Sequence, residues 1–263
     1  MSLFKRKNIK DSPVWGVNGF SASDVGKVRN NNEDSIYFKS IPGGCIGIVA
    51  DGMGGHAAGE VASKMAIETI VENLPADFSS INEKVLQKLL TKANKEILKL
   101  SRENRGMRGM GCTTTMIASW NAKIFWAHVG DSRFYMRRGT VLRQITTDHS
   151  LDNLGGTNDG QSHILIRAMG LYDEVEIDTG TIELNDDIAQ RILLCSDGLY
   201  DMLNNDEIND LLRIQSAYFA TNCLIAMSNL KGGHDNVSVI VADFKKIDLT
   251  NSQNITKEIT LPL

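Results

Sequence analysis

Hydrophobic and polar positions along the chain follow two rhythms. Residues 14–22 and 34–41 carry the short-range pattern of strands, and residues 44–50 form a continuous apolar run. That run ends in Asp51-Gly52, so it reads as a buried strand feeding a glycine-rich loop, Gly52-Met53-Gly54-Gly55. Helical spacing follows: Val61, Met65, Ile70 and Leu74 recur at mostly three- to five-residue steps, with Pro75 just beyond. Ser80-Ile81-Asn82-Glu83 has the form of a capping box. It opens a second helix with Leu86, Leu89, Leu90, Ala93, Ile97 and Leu100 on one face.

Strand character returns at Thr113–Trp120 and Lys123–Val129, joined by Asn121-Ala122, and again at Arg133–Arg138 before Gly139. Residues 148–170 are polar and glycine-rich and read as a surface flap. Two more strands are expected at Glu176–Leu184 and Arg191–Cys195. Helices are expected at about 205–213 and 216–230, the latter stopped by Gly232-Gly233, and a last strand at Asn236–Phe244. Strands come in runs and helices in pairs, so the pattern predicts an α+β fold. Its expected form is a layered α-β-β-α sandwich: two mostly antiparallel sheets inside, helix pairs outside, functional site at one rim. The folded domain should span 13–245, with a basic tail at 1–12 and a polar tail at 246–263.

Composition narrows the function classes. The 263 residues are 42% hydrophobic and 23% charged with net charge −4, ordinary for a soluble domain and unlike a nucleic-acid binder. The longest apolar run, Cys45 to Ala50, is too short to span a membrane. Basic residues near Lys5 are followed by no apolar stretch of a signal peptide. The four cysteines, Cys45, Cys112, Cys195 and Cys223, sit in apolar runs without CxxC spacing, which predicts reduced thiols in a reducing cytoplasm.

The chemistry lies in the acidic residues. Asp51, Asp131, Asp197 and Asp235 each fall at one end of an expected strand, and Glu33-Asp34 just before another. A single Asp-Gly pair can simply mark a turn. Five acidic points at strand ends are harder to explain that way, because aspartate is disfavoured inside strands. Gathered at one rim, they would repel one another unless cations neutralised them. An oxygen-only set without a His/Cys cluster suits Mg²⁺ or Mn²⁺. Two such ions can lower the pKa of a bridging water and aim it at a phosphoryl group. Arg29, a short polar loop before Glu33, offers a planar two-pronged donor for phosphate.

These segments resemble the PPM family, the metal-dependent type 2C Ser/Thr protein phosphatases, in its bacterial single-domain form. The residues that carry the resemblance are Asp24-Val25-Gly26 through Arg29 to Glu33-Asp34, then Val49-Ala50-Asp51-Gly52-Met53-Gly54-Gly55-His56. Gly111-Cys112-Thr113-Thr114 and His128-Val129-Gly130-Asp131-Ser132-Arg133 follow, then Cys195-Ser196-Asp197-Gly198-Leu199 and Gly233-His234-Asp235-Asn236-Val237. They stand in family order across nearly the whole chain.

The resemblance implies roles. Asp51 would bridge two metal ions, the Gly52 carbonyl would bind the first, and Asp197 and Asp235 would complete the second. Asp131 with Asp197 would hold a third, weaker ion. Glu33 and Asp34 would act through metal-bound waters, and Arg29 would grip the substrate phosphate. No protein nucleophile is implied. His56 lies near where some members place a proposed general acid, with its spacing shifted by Met53-Gly54-Gly55. His128, His149 and His234 read as packing residues beside the aspartates, and His163 as part of the flap. The segment between Ser150 and Ile166 is about ten residues shorter than in bacterial relatives, so substrate choice does not carry over. Phosphorylated proteins are the implied substrates, a cognate Ser/Thr kinase the implied partner, and a monomer the expected state.

Two other readings stay open at this point. One is a catalytically inactive phosphoprotein-binding or scaffold module on the same fold. The other treats Gly52-Met53-Gly54-Gly55 as a nucleotide loop, although it lacks the Lys-Ser/Thr of a P-loop.

Overall fold

The computed structural model describes residues 14–55, 57–151, 164–184 and 190–247. Among the described residues, eleven strands form two antiparallel sheets. The first sheet has the order β1 (Val14–Asp24), β11 (Val237–Ile247), β10 (Gln190–Cys195), β7 (Arg133–Arg138) and β8 (Val141–Gln144). The second has the order β2 (Asp34–Ile41), β3 (Gly44–Met53), β5 (Thr114–Trp120), β6 (Lys123–Val129) and β9 (Asp178–Glu183), with the short β4 (Gly111–Cys112) also paired to β3. The β5–β6 hairpin turns at Asn121 and Ala122, both at positive φ (47° and 63°), as a two-residue turn matched to strand twist requires.

Helices α1 (Ala57–Glu72) and α2 (Glu83–Glu103) cover the second sheet, and α3 (Asp197–Tyr200), α4 (Asn205–Leu211) and α5 (Ala217–Leu230) cover the first. Three apolar layers result. Ile48, Ala62, Ile70, Leu90, Ile97 and Met116 fill the space between the second sheet and its helices. Val49, Ile117, Phe134, Ile192, Leu194 and Ile240 close the sheets on each other. Leu199, Leu203, Ile208, Leu224 and Val239 seat the remaining helices. The expected α-β-β-α sandwich is the fold observed. Among the described residues, no helix is long and apolar enough to cross a membrane.

Several boundaries differ from those the pattern gives. The N-cap of α2 is Asn82, whose side chain accepts from the Val85 amide at 3.1 Å, and not Ser80. Ser80 is taken by a preceding 3-10 turn: Asp77 caps that turn, and the Ser80 hydroxyl donates to the Asp77 carbonyl at 2.7 Å. The helix therefore begins after that turn ends. A complete capping box occurs instead at Asn204 and Glu207, opening α4. The strands β4 and β8 and the short α3 carry too few residues to show a period. β11 continues through Ile247, past the expected Phe244, because β1 pairs with it along its full length. Cys45, Cys112 and Cys195 are buried free thiols, and burial pushes each up to about 12, whereas Cys223 is only half-buried.

Candidate metal centre

Sheet register brings the acidic residues to one rim. Asp34 opens β2 directly opposite Asp51 near the end of β3. Asp197 follows β10 as the first residue of α3, and Asp235 lies two residues before β11. Asp131 occupies the bend between β6 and β7. Antiparallel pairing of β10 with both β7 and β11 sets Cys195 opposite Arg133 and Val239, so the Asp131, Asp197 and Asp235 segments emerge together.

The backbone around these aspartates is tightly held. The Asp51 amide donates to Thr113 Oγ1 (3.1 Å), and its carbonyl accepts from the Thr113 amide (2.8 Å). The Glu33 carbonyl accepts from the Gly52 amide (3.1 Å) and from the Ser63 hydroxyl (2.6 Å), tying β3 to α1. A Cβ at Gly52 would come within 2.2 Å of the Gly59 carbonyl oxygen, so only glycine allows β3 and the first turn of α1 to approach this closely. The Glu33 carboxylate lies against Gly59 in that same turn, where the helix N-terminus favours negative charge. Asn236 knits the opposite side: its side chain accepts from the Glu33 amide (2.8 Å) and donates to the carbonyls of Val25 and Asn31, both 2.9 Å.

Electrostatics show that the carboxylates share one neighbourhood. Burial first, then the charges of Asp34, Asp197, Asp131 and Asp235, push the Asp51 carboxyl well above its ordinary range, although part of the residue still meets solvent. Asp197 is likewise raised, by burial and then by Asp131, Asp235 and Asp34. Asp34 is raised to about 6 mainly by burial, against the Ser196 hydroxyl donating to its Oδ2 at 2.7 Å. Asp131 is raised to about 6 by burial and then by Asp148. Its main-chain carbonyl accepts from the Tyr200 hydroxyl (3.1 Å), and the Arg133 guanidinium, paired with Asp148 at 2.6 Å, stacks over the Tyr200 ring.

The residues fit hard divalent cations. The donors are oxygens, and two buried ones, Asp34 Oδ1 and Asp197 Oδ1, have no hydrogen-bond partner. An orphaned buried carboxylate oxygen is costly, and a cation beside it removes that cost. Among the described residues no three acidic, histidine or cysteine side chains already stand as a closed ligand group. The aspartates share coulombic reach rather than a finished cage.

Arg29 stands at the edge of this group, half-exposed, with Nη2 donating to Asp235 Oδ2 at 2.6 Å. His56 lies outside the described residues, as do His163 and most of the flap at 152–163. His128 is buried against Thr115 and the Thr147 carbonyl. His149 brackets Gly130, accepting from its amide at Nδ1 (3.1 Å) and donating its own amide to the Gly130 carbonyl (2.7 Å), next to Asp131. The pattern did not single out Ser196, Thr113 and Asn236 for this support. Each lies inside one of the motif segments that carry the resemblance, and that membership is the signal that could have found them.

An acidic, oxygen-only rim above two stacked sheets suits a metal-dependent hydrolase of phosphate esters. Comparison with known proteins supplies the family. The family model described as Protein phosphatase 2C matches residues 27–229. The serine/threonine phosphatase Stp of Listeria monocytogenes is 34% identical over 237 residues, covering 84% of this chain and 93% of its own. Protein phosphatase PhpP of Streptococcus pneumoniae is 32% identical over 241 residues, covering 86% and 97%. The crystal structure of the Mycobacterium tuberculosis serine/threonine phosphatase PstP/Ppp matches with a TM-score of 0.79 at 34% identity, covering 88% of this chain and 99% of that one. A PstP catalytic domain solved in complex with two manganese ions matches with a TM-score of 0.78 at 33% identity. The chain belongs to the protein phosphatase 2C family, and it is a metal-dependent serine/threonine protein phosphatase.

Proposed function

We propose that this centre hydrolyses phosphoserine and phosphothreonine in proteins by direct attack of water on phosphorus, with Asp51, Gly52, Asp197 and Asp235 as ligands of two Mn²⁺ or Mg²⁺ ions. Asp131 with Asp197 would hold a third ion. The observation that carries this reading is the gathering of Asp34, Asp51, Asp131, Asp197 and Asp235 with two buried carboxylate oxygens left unpartnered. When bound, the ions supply charge neutralisation and a water acidic enough to attack near neutral pH.

The chain's own residues do the rest. Asp51 and Asp197 hold the anionic charge that draws cations, and Ser196 and Thr113 fix where that charge sits. Glu33 and Asp34 orient solvent within the centre. Arg29 is placed to exchange its bond to Asp235 for a substrate phosphate, for which a guanidinium is the better-matched partner in geometry. His56 is retained as a candidate proton donor to the leaving oxygen. In this reading water and not an aspartate attacks phosphorus, so no phosphoenzyme should accumulate.

The same reading places the protein in bacterial cytoplasmic signalling, as a monomer opposing a Ser/Thr kinase. The test is phosphate release from a phosphothreonine peptide. Manganese should switch it on, EDTA should stop it, and Asp51→Asn should lose most of it. Undiminished turnover in Asp51→Asn would reject the proposed ligand set.

A further inference from the structure

The rim opposite the metal centre carries a second crowded cluster, of the opposite sign. Strand register sets Asn18, Asp243, Arg191 and Arg137 side by side on β1, β11, β10 and β7, so they share one face of the first sheet. Lys245, two residues beyond Asp243, lies on that face as well. Asp243 pairs with Arg191 through two 2.7 Å bonds. The rest of the Arg191 guanidinium is spent on the carbonyls of Leu212, Ile214 and Gln215 between α4 and α5. Arg191 is therefore structural and fully engaged.

Its cross-strand neighbour Arg137 is not. Like charges directly opposite on adjacent strands are unfavourable. Arg137 has the neutral Asn209 amide oxygen as its hydrogen-bond partner, at 3.0 Å. Burial, then the charges of Arg213 and Arg191, pull its pKa down. Arg213 meets Asp210 at 3.4 Å with both side chains largely exposed, an arrangement worth little in water. Lys245 is exposed. Among the described residues, Asp243 is the one acid lining the groove these cations surround. That groove holds about 800 Å³, within the range of small-ligand sites, and the exposed Ile247 gives it an apolar edge. Gly16, opposite Lys245, makes room for Ile247, whose Cδ1 would come within 2.9 Å of any Cβ placed there.

We propose that this groove is an anion site, separate from the metal centre, that takes a phosphate-bearing ligand with an apolar flank. Arg137, Arg213 and Lys245 contact the phosphate, and Arg191 with Asp243 holds the floor. Guanidinium groups match phosphate in planar, two-pronged fashion, and the apolar edge excludes a bare, fully hydrated ion as the best fit. The phosphate can come from a small molecule or from a modified side chain of a protein.

Amide chemical-shift mapping of the magnesium-loaded chain separates the two rims. Two hydrolysis-resistant probes, a nucleoside phosphonate and a phosphonate-bearing peptide, are titrated at matched ionic strength against sodium chloride. At least one should shift Gly16, Asn18, Arg213 and Lys245. The double variant R137Q/K245Q should weaken that binding about tenfold or more, while the charge-preserving R137K/K245R keeps most of it. Turnover of p-nitrophenyl phosphate and the thermal midpoint should be unchanged in both variants. A response to the nucleoside form alone assigns a small-molecule ligand, and a response to the peptide alone assigns a protein one. Shifts confined to the metal rim, or equal affinity in R137Q/K245Q, overturn the proposal.

Discussion

The strands β10 and β11 run between two rims that a charge map would paint in opposite colours. At one rim their ends lead into Asp197 and Asp235, among carboxylates whose pKa values are raised by burial and then by mutual repulsion. At the other, Arg191 and Lys245 stand with Arg137 and Arg213, where the same two causes act on a cation in reverse. The difference lies in how each cluster is braced. The acidic rim is buried at Asp34 and Asp131 and half-buried at Asp51, Asp197 and Asp235, its backbone is pinned by Thr113, Ser63, Ser196 and Asn236, and two of its oxygens lack any hydrogen-bond partner among the described residues. The basic rim is mostly open, and its one buried guanidinium is saturated. A rigid, unsatisfied cluster is suited to chemistry, because its charge cannot relax by turning toward water. An open one is suited to reversible capture.

Removing one charge from each rim puts this contrast under the greatest load. Asp51→Asn should lower turnover on a phosphothreonine peptide by about a thousandfold, the scale of several kcal/mol of lost charge stabilisation. Arg137→Gln should leave turnover unchanged in the same assay. Equal losses would show that the rims are coupled and not separate.

Metal addition should divide the rims next. Manganese at about a hundred times its dissociation constant should stabilise the fold by about 2.7 kcal/mol. That corresponds to a rise of about 5–10 °C in thermal midpoint for a chain of this size. The rise should vanish in Asp51→Asn and persist in Arg137→Gln. Ser196→Ala should come below this. It removes the donor to Asp34 Oδ2 and the acceptor of the Ser238 amide, at a cost of about 1–3 kcal/mol read by urea titration.

The pH dependence of the metal-free chain gives a smaller signal with a defined sign. Asp34 and Asp131 sit near 6 in the fold and titrate near 4 when unfolded, so the native state binds more protons between those values. Stability contributed by these groups is then highest below about pH 4, falls as pH rises, and levels off above about pH 6. Bound manganese should flatten that slope. A metal-free thermal midpoint that climbs between pH 4 and 6 would contradict the crowding on which the acidic rim depends.

Much of this is legible in the chain itself. Runs of strands followed by paired helices set the layer order, and the aspartates at strand ends, with small residues after them, mark the rim by their spacing alone. The less legible parts share a physical reason: they depend on contacts between distant segments. Asp34 stands out in the sequence, but the hydroxyl that donates to it belongs to Ser196, 162 positions away. The bond from Arg29 to Asp235 spans 206 positions. Ser80 satisfies the local rule for a helix cap and loses that role to Asn82, because a neighbouring turn uses its hydroxyl first. The basic rim has no sequence signature, since Arg137, Arg191 and Lys245 lie on separate strands and meet through register alone.

Whether these distant carboxylates enclose divalent cations at one rim can be seen by diffraction from crystals grown with manganese, recorded at the manganese edge. Two strong anomalous peaks are expected between Asp51, Asp197 and Asp235, with a weaker one beside Asp131. Peaks only elsewhere on the molecule, or none within bonding distance of Asp51, would contradict the proposed centre.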